Sequence, residues 1–399
     1  MSFVDRTMSR RQVAIASAAG AVAISGAAVL RPTFAQEASP EASPAEGGPP
    51  MPPLPEGATV VAEGLWNPMD LAFGEDGTLY IAESGIAGGG DEGPPEAAAS
   101  PAADATPAEA PPALVPGQIS AVAPDGTQSV LTTEAGGVGI DVFDGAVYVS
   151  QGGGSVEAGL IPRPDENTLR AVDLASGEVR LVANLGEYEV ENNPDGTDVN
   201  PNLYGLGITD DGTIYVADAG GNTIYAVDAA TGDFSLFAVV PNLTDLTGAT
   251  PTAEEAAMQP GPRQPVPTGV AIDAGGYINI SLLSEGWNGP SILAYAPDGT
   301  YTEGVSGLSM IVDIALGPDG LLYASQLTAD FSGEMPAPGN VLRINADGSI
   351  EPVVEGLMLP HGIAFDADGN LFVSVNSIIS GPDAPLGMVL RFDGVATPA

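Results

Sequence analysis

Asp70 and Asp313 stand at one corresponding place, and Glu83 and Asp218 at another, in copies of one repeated pattern. Carboxylates that converge in this way can hold a hard cation through oxygen. The competing expectation is that each accepts hydrogen bonds from neighbouring backbone and stiffens the fold. A second oxygen-rich group lies in "ENNPDGTDVNPN", residues 191–202, where Asn193, Asp195, Asp198 and Asn200 crowd around Gly196 as donors do in a calcium-binding loop. The spacing is not that of an EF-hand, which needs a longer run ending in a bidentate Glu. A proline-containing turn with Asn and Asp at its corners accounts for the segment as well. His361 is the single histidine and cysteine is absent. Three-histidine metal centres, thiolate sites, disulfides and a lipid-modified cysteine anchor are therefore excluded. A Ser-His-Asp triad would have to use His361, yet no G-x-S-x-G turn is present. What remains is non-covalent binding, or carboxylate-and-metal chemistry such as lactone hydrolysis.

The elements that must position these residues repeat six times. "DLAFGEDGTLYIAE" starts at Asp70, "GIDVFDGAVYVSQ" at Gly139 and "GLGITDDGTIYVAD" at Gly205. "GVAIDAGGYINISL" follows at Gly269, "DIALGPDGLLYASQ" at Asp313 and "GIAFDADGNLFVSV" at Gly362. Each copy is a short apolar strand, a tight glycine turn and a β-branched or aromatic strand, the signature of an antiparallel hairpin. Most copies run on into a second hairpin, such as "ISAVAPDGTQSVLT" or "IYAVDAATGDFSLFA". Four strands per copy, with starts 44 to 69 residues apart, predict an all-β chain. The expected fold is a six-bladed β-propeller of four-stranded antiparallel blades. The sixth copy ends at its third strand, "GMVLRFDG", and an orphan strand, "ATVVAEGL", precedes the first copy. The orphan is expected to complete the last blade and remove a free edge.

Strand parity assigns the loops to two faces. Turns between strands one and two, and three and four, are short and share one face. The long insertions, at 86–116, 152–167, 187–203, 242–267, 328–339 and 377–387, all fall on the other. Loops of varied length on a rigid scaffold are where binding resides, unless they only decorate the rim. Two residue columns approach the central mouth on that face. One opens each inner strand: Met69-Asp70, Tyr204, Thr268, Val312-Asp313 and His361, with Asp141 as the ambiguous second-blade member. The other closes the second strand: Glu83, Gln151, Asp218, Leu282, Gln326 and Val375. Asn222 and Asn376 complete the polar set assigned to the mouth. His361 shares its column with Met69, Tyr204, Thr268 and Val312, which makes it a mouth-lining residue before a catalytic base.

Composition bounds the partners. Against 52 acidic residues stand ten basic ones, every one an arginine, for a net charge of −42. Four of those arginines lie in the first 35 residues beside a single acid, Asp5, so the remainder is more acidic still. Such a polyanion is repelled by nucleic acid and by anionic membrane surfaces. Cations, neutral small molecules and basic partners remain open. Residues 1–35 read as a signal peptide: Arg10-Arg11, a mildly apolar run from Val13 to Leu30, then small residues to Ala35. Ser9-Arg10-Arg11 is similar to a twin-arginine signal. The mature chain is expected outside the cytoplasm, secreted or in the periplasm or cell envelope, with no membrane span, acting as a monomer. Residues 36–57 read as a disordered Pro/Glu/Ala/Gly tether, and the tract at about 88–113 as a disordered insertion within the propeller at 58–394; residues 395–399 are a tail.

"NPMDLAFGEDGTLYIAE" and "LPHGIAFDADGNLFVS" resemble NHL-type repeats. The segment from Tyr188 to Asp228, with "ENNPDG", "NPNLYGL" and "VADAGGN", resembles the ScyD/ScyE family of exported propeller proteins. That resemblance implies the fold, export and a link to extracellular secondary-metabolite chemistry of the scytonemin type, without a set of catalytic residues. The implied role is a scaffold that binds an unidentified small molecule or extracytoplasmic protein through the loop-rich face. The alternative is a metal-dependent propeller enzyme, lactonase-like or tailoring, with a divalent cation such as calcium. Related six-bladed lactonases use a Glu, Asn and Asp metal set, of which Glu83 and Asp218 can imitate only parts.

Overall fold

The turn chemistry sets the strands. In "GEDG" the Gly77 N–H bonds to the Gly74 carbonyl at 2.9 Å, while Asp76 Oδ1 accepts the Thr78 N–H at 3.0 Å. Gly77 sits at φ +81, a left-handed conformation that glycine adopts without Cβ strain. The same Asp-Gly arrangement recurs at Asp125-Gly126 and Asp347-Gly348, again with the aspartate capping the residue after the glycine. Each turn sends a half-buried strand back along its neighbour.

A computed structural model describes residues 53–86, 115–152, 166–247, 263–283, 289–308, 310–329, 337–381 and 384–398. The signal segment, most of the tether and the insertion at 88–113 lie outside the described residues, as do large parts of the insertions at 152–167, 242–267 and 328–339.

The described chain forms a six-bladed propeller of four-stranded antiparallel sheets. The first blade holds β2 (Pro68–Phe73), β3 (Leu79–Glu83), β4 (Gln118–Val122) and β5 (Gln128–Thr132). The second holds β6 (Ile140–Phe143), β7 (Ala146–Gln151), β8 (Thr168–Asp173) and β9 (Val179–Asn184). The third holds β10 (Leu203–Ile208), β11 (Thr213–Asp218), β12 (Thr223–Asp228) and β13 (Phe234–Val239). The fourth holds β14 (Pro267–Ile272), β15 (Ile278–Leu282), β16 (Gly289–Tyr295) and β17 (Tyr301–Leu308). The fifth holds β18 (Ile311–Leu316), β19 (Leu322–Gln326), β20 (Gly339–Ile344) and β21 (Ile350–Leu357). In the sixth, β22 (Ile363–Phe365), β23 (Leu371–Val375) and β24 (Gly387–Phe392) follow one another, and β1 (Thr59–Leu65) lies antiparallel to β24, with Thr59 opposite Arg391 and Leu65 opposite Gly387.

The first strands of successive blades touch in a closed cycle, β2 to β6, β10, β14, β18, β22 and back to β2. They approach so closely that side chains must be small. A methyl group on Gly205 would stand 2.4 Å from the Thr268 carbonyl oxygen and 2.9 Å from the Gly269 Cα. Gly139 and Gly362 meet their neighbours' backbone in the same way. Between blades the core is apolar. Tyr225, Leu169 and Leu203 fill the interface of blades two and three, and Tyr295, Leu282 and Ile280 that of blades three and four.

Among the described residues two short helices interrupt the strands, α1 (Leu185–Asn192) and α2 (Leu243–Thr247). Asn184 caps α1, its side-chain oxygen accepting the Glu187 N–H, and Leu185 is wholly buried beneath it. Among the described residues no helix is long and apolar enough to cross a membrane.

Candidate functional site

At the mouth of the ring the two columns meet, but not as an open cup. Met69, Val138, Tyr204 and Val312, from the starts of inner strands, pack with Ala219, Leu283, Leu327 and Ile378, which follow second strands. Val266, Met310 and Leu359 join the same apolar cluster, each at positive φ, where the chain bends into its blade.

Under this cluster sit the polar members. His361 is only 2% exposed, and its ring stacks on Tyr204 with centroids 5.3 Å apart. Its Nδ1 lies 3.1 Å from the Met69 carbonyl and its Nε2 2.5 Å from the Tyr204 hydroxyl. A carbonyl can only accept, so Nδ1 carries the proton and Nε2 accepts from the phenol. Burial pushes the imidazole pKa down to about 4, so the ring stays neutral near pH 7. Tyr204 is pushed far up by burial and by Asp313 and Asp70 nearby, which keeps its O–H as the donor.

Asp70 and Asp313 lie close enough for each to act on the other's proton. Burial raises Asp70 to about 7 and holds Asp313 well above the usual carboxylate range. Near neutrality the two therefore share a proton. Each also joins its blade to the next. Asp70 accepts from Leu71 N at 2.7 Å and, across the interface, from Ile140 N at 3.1 Å. Asp313 accepts from Ile363 N at 2.9 Å. Asp141 does the same from Val142 N and Ile208 N, but from a place two residues further along its strand than Gly139, which aligns with Asp70. Burial raises Asp141 to about 6. Thr268 donates to the Ile311 carbonyl at 2.9 Å, so it too spans two blades.

The second column divides. Glu83 is satisfied within its blade: one oxygen accepts the Trp66 N–H, the other the Gln118 amide at 2.8 Å and the Ser120 hydroxyl. Asp218 makes the matching bond to Asn202 N at 2.8 Å and accepts from Gly220 N and Gly221 N with the same Oδ1. Its Oδ2 is buried without a partner among the described residues. Gln151 is half-buried at the end of β7, and Gln326 accepts from Asn340 at 3.2 Å. Asn222 and Asn376 adopt positive φ; Asn222 donates to Asp195 and to Gln264, Asn376 to the Leu386 carbonyl at 2.9 Å.

Four serines were not among the residues singled out in the sequence. Ser150, Ser281 and Ser374 each accept the N–H of the glycine that opens their blade, Gly139, Gly269 and Gly362, at 3.0, 2.7 and 2.8 Å. Ser325 holds the equivalent place in the fifth blade. The signal was present as the residue just before Gln151, Leu282, Gln326 and Val375. The other omission is Glu189 on α1, wholly buried, with neither carboxylate oxygen partnered among the described residues.

The segment 191–202 begins as the last residues of α1 and then turns through Gly196 at φ +69. Asn193 caps the helix in a left-handed conformation and donates to the Thr197 carbonyl at 2.8 Å. Asp195 accepts from Thr197 through both its oxygens and also from Asn222. The Asn200 carbonyl presses against Gly220. Asp198 lies close enough to raise the pKa of Glu189. Among the described residues no three His, Cys, Asp or Glu side chains are arranged as a metal centre.

No protein-family model and no curated protein sequence matches the chain. Solved structures match in fold. A gluconolactonase from Xanthomonas campestris superposes with a TM-score of 0.51 at 14% identity, covering 84% of this chain and 88% of its own. The calcium-binding protein regucalcin from Agrobacterium tumefaciens gives 0.50 at 13%, covering 86% and 97%. A Bacteroides thetaiotaomicron protein of unknown function gives 0.52 at 11%, covering 84% and 75%. Identities this low carry the ring architecture and nothing finer, because one fold hosts unrelated chemistries.

Proposed function

We propose that this chain is an exported, ScyD/ScyE-like scaffold that binds a small molecule or extracytoplasmic protein through its loop-rich face. Its setting is extracellular secondary-metabolite chemistry of the scytonemin type. The observation that supports this reading is the state of the axis. The polar side chains there bond to their own ring, and an apolar cluster covers His361, which is 2% exposed. A substrate needs groups with unused hydrogen-bonding capacity and a way to reach them. His361, Asp70 and Asp313 are buried and spent on the ring itself, which favours the insertions as the contact surface. The acidity of the chain selects neutral or cationic partners.

The competing reading, metal-dependent lactone hydrolysis, draws on the gluconolactonase fold. It requires exposed, unspent carboxylates near the axis, and Glu83, Asp70 and Asp313 are spent. The two readings separate in one experiment. Whole protein is assayed for hydrolysis of gluconolactone with added Ca²⁺, Mn²⁺ or Zn²⁺. In parallel, immobilised protein captures partners from envelope and culture fractions, beside a variant with insertions 86–116 and 242–267 shortened to turns. The expected result is no metal-stimulated turnover, and capture that disappears in the shortened variant while its melting temperature holds. Metal-stimulated turnover, or capture indifferent to the insertions, overturns the scaffold reading.

A further inference from the structure

Glu83 and Asp218 occupy the same place in blades one and three, and they differ in one respect. Each uses one oxygen to accept the N–H of the residue entering its blade, Trp66 and Asn202. In blade one the remaining oxygen is taken by Gln118 and Ser120. In blade three the equivalent oxygen, Asp218 Oδ2, has no partner among the described residues, and what faces it is a second carboxylate.

That carboxylate is Glu189, delivered by α1 from the insertion at 187–203. Glu189 and Asp218 are both 0% exposed, and both oxygens of Glu189 are unpartnered. The two groups point to one place. A β-carbon built on Gly221 would lie 2.9 Å from Glu189 Oε2 and 3.0 Å from Asp218 Oδ2. Asn193, four residues along from Glu189, carries a fourth buried oxygen without a partner among the described residues, Oδ1. The charges acting on Glu189 are all negative: Asp218, Asp195 and Asp198. Two carboxylates from separate elements, with Asp218 Oδ2 and both Glu189 oxygens buried without donors among the described residues and no counter-charge acting on Glu189, are costly unless a positive charge joins them. Oxygen-only donors of mixed charge suit a hard divalent cation.

We infer that Glu189 and Asp218, with Asn193 Oδ1, form a calcium site that ties α1 to the third blade. The site departs from the loop-type set of Asn193, Asp195, Asp198 and Asn200: only Asn193 is shared, because Asp195 is consumed by Thr197 and Asn222. It does not depend on the scaffold reading. Bound Ca²⁺ fixes the one long insertion whose residues 187–203 are all described.

The test uses the full chain stripped with EGTA and titrated with Ca²⁺ by calorimetry in about 0.1 M salt, where diffuse attraction to the acidic surface is screened. Glu189→Gln and Asp218→Asn are compared with Glu355→Gln, an exposed acid on β21. Wild type and Glu355→Gln are expected to show one saturable site and a rise in melting temperature with Ca²⁺. Glu189→Gln and Asp218→Asn are expected to bind at least about tenfold more weakly. Glu189→Gln in EGTA should melt no lower than wild type, since glutamine keeps the shape of the side chain and brings no charge into a place without a counter-charge; this separates loss of the site from loss of the fold. Unchanged affinity and stoichiometry in Glu189→Gln, or only weak non-saturating binding by wild type, overturns the inference.

Discussion

At the scale of single residues, the axis is a set of bonds with assigned donors. Tyr204 donates to a neutral His361, which donates to Met69. Tyr204→Phe leaves a buried ring nitrogen without a donor, and is expected to lower unfolding free energy by about 1–3 kcal/mol in chemical denaturation. The double variant Tyr204→Phe/His361→Phe should cost less than the sum of the two single changes, because one bond is lost rather than two. Additive costs would show that the pair is not coupled. Residue identity was only partly legible in advance. His361 stood out as the lone histidine, and its column suggested a lining position; the ring is 2% exposed. Nothing in sequence spacing revealed that Tyr204, 157 residues earlier, would meet its Nε2. Pairings across a ring depend on closure, which no local pattern contains.

Among the elements, the six hairpins were legible because turn chemistry and strand alternation agree at every copy. Helix α1 was not. "LGEYEVEN" contains glycine, valine and tyrosine, all modest helix formers, and its eight residues are held by the Asn184 cap and the burial of Leu185 rather than by propensity. With the helix unseen, Glu189 read as one more acid in an acidic run. The cap spacing of Asn184 and Glu187 was the available signal. Two expected outcomes belong to this scale. Gly205→Ala puts a methyl into the backbone of the next inner strand and should destabilise by about 1–3 kcal/mol. Gly126→Ala, in an open turn at φ +84, should cost only the backbone strain of about 1 kcal/mol. Equal losses in denaturant titrations would refute the close approach as the cause. Deleting residues 58–66 bares the β24 edge, and light scattering on heating should show aggregation at a lower temperature than for the full chain.

For the whole molecule, buried ionisable groups set how stability follows pH. Asp70, Asp141 and Asp313 bind protons more tightly folded than unfolded, with Asp70 raised to about 7 and Asp141 to about 6. The folded state therefore holds extra protons between the ordinary aspartate value and those raised values, and stability falls as pH rises through that window. His361 works the other way. Lowered to about 4, it resists a proton that the unfolded chain accepts below about 6.5, so stability falls as pH drops from there to about 4. Burial also raises Glu189 to about 8 and Asp218 to about 6, so among the described residues five raised carboxyls oppose one imidazole, and protonation also relieves the repulsion of a chain at −42. The melting temperature is expected to be higher at pH 6 than at pH 8, and Asp313→Asn should flatten that difference. A melting temperature that climbs from pH 6 to 8 would show that the axial carboxyls are not shared-proton groups.

The pairing of β1 with β24 has a consequence for where the chain can be cut. Because the two ends of the polypeptide supply neighbouring strands of one sheet, the seam is a matter of connection rather than of packing. Joining residue 394 to residue 58 by a short linker and opening the chain at the Asp125-Gly126 turn should give a circular permutant with the same ring and its seam moved to the first blade. In the natural order, the outer edge of the sixth sheet is taken by β1, which is made long before its partner β24. That strand must wait, unpaired on its final partner, until synthesis has reached Phe392.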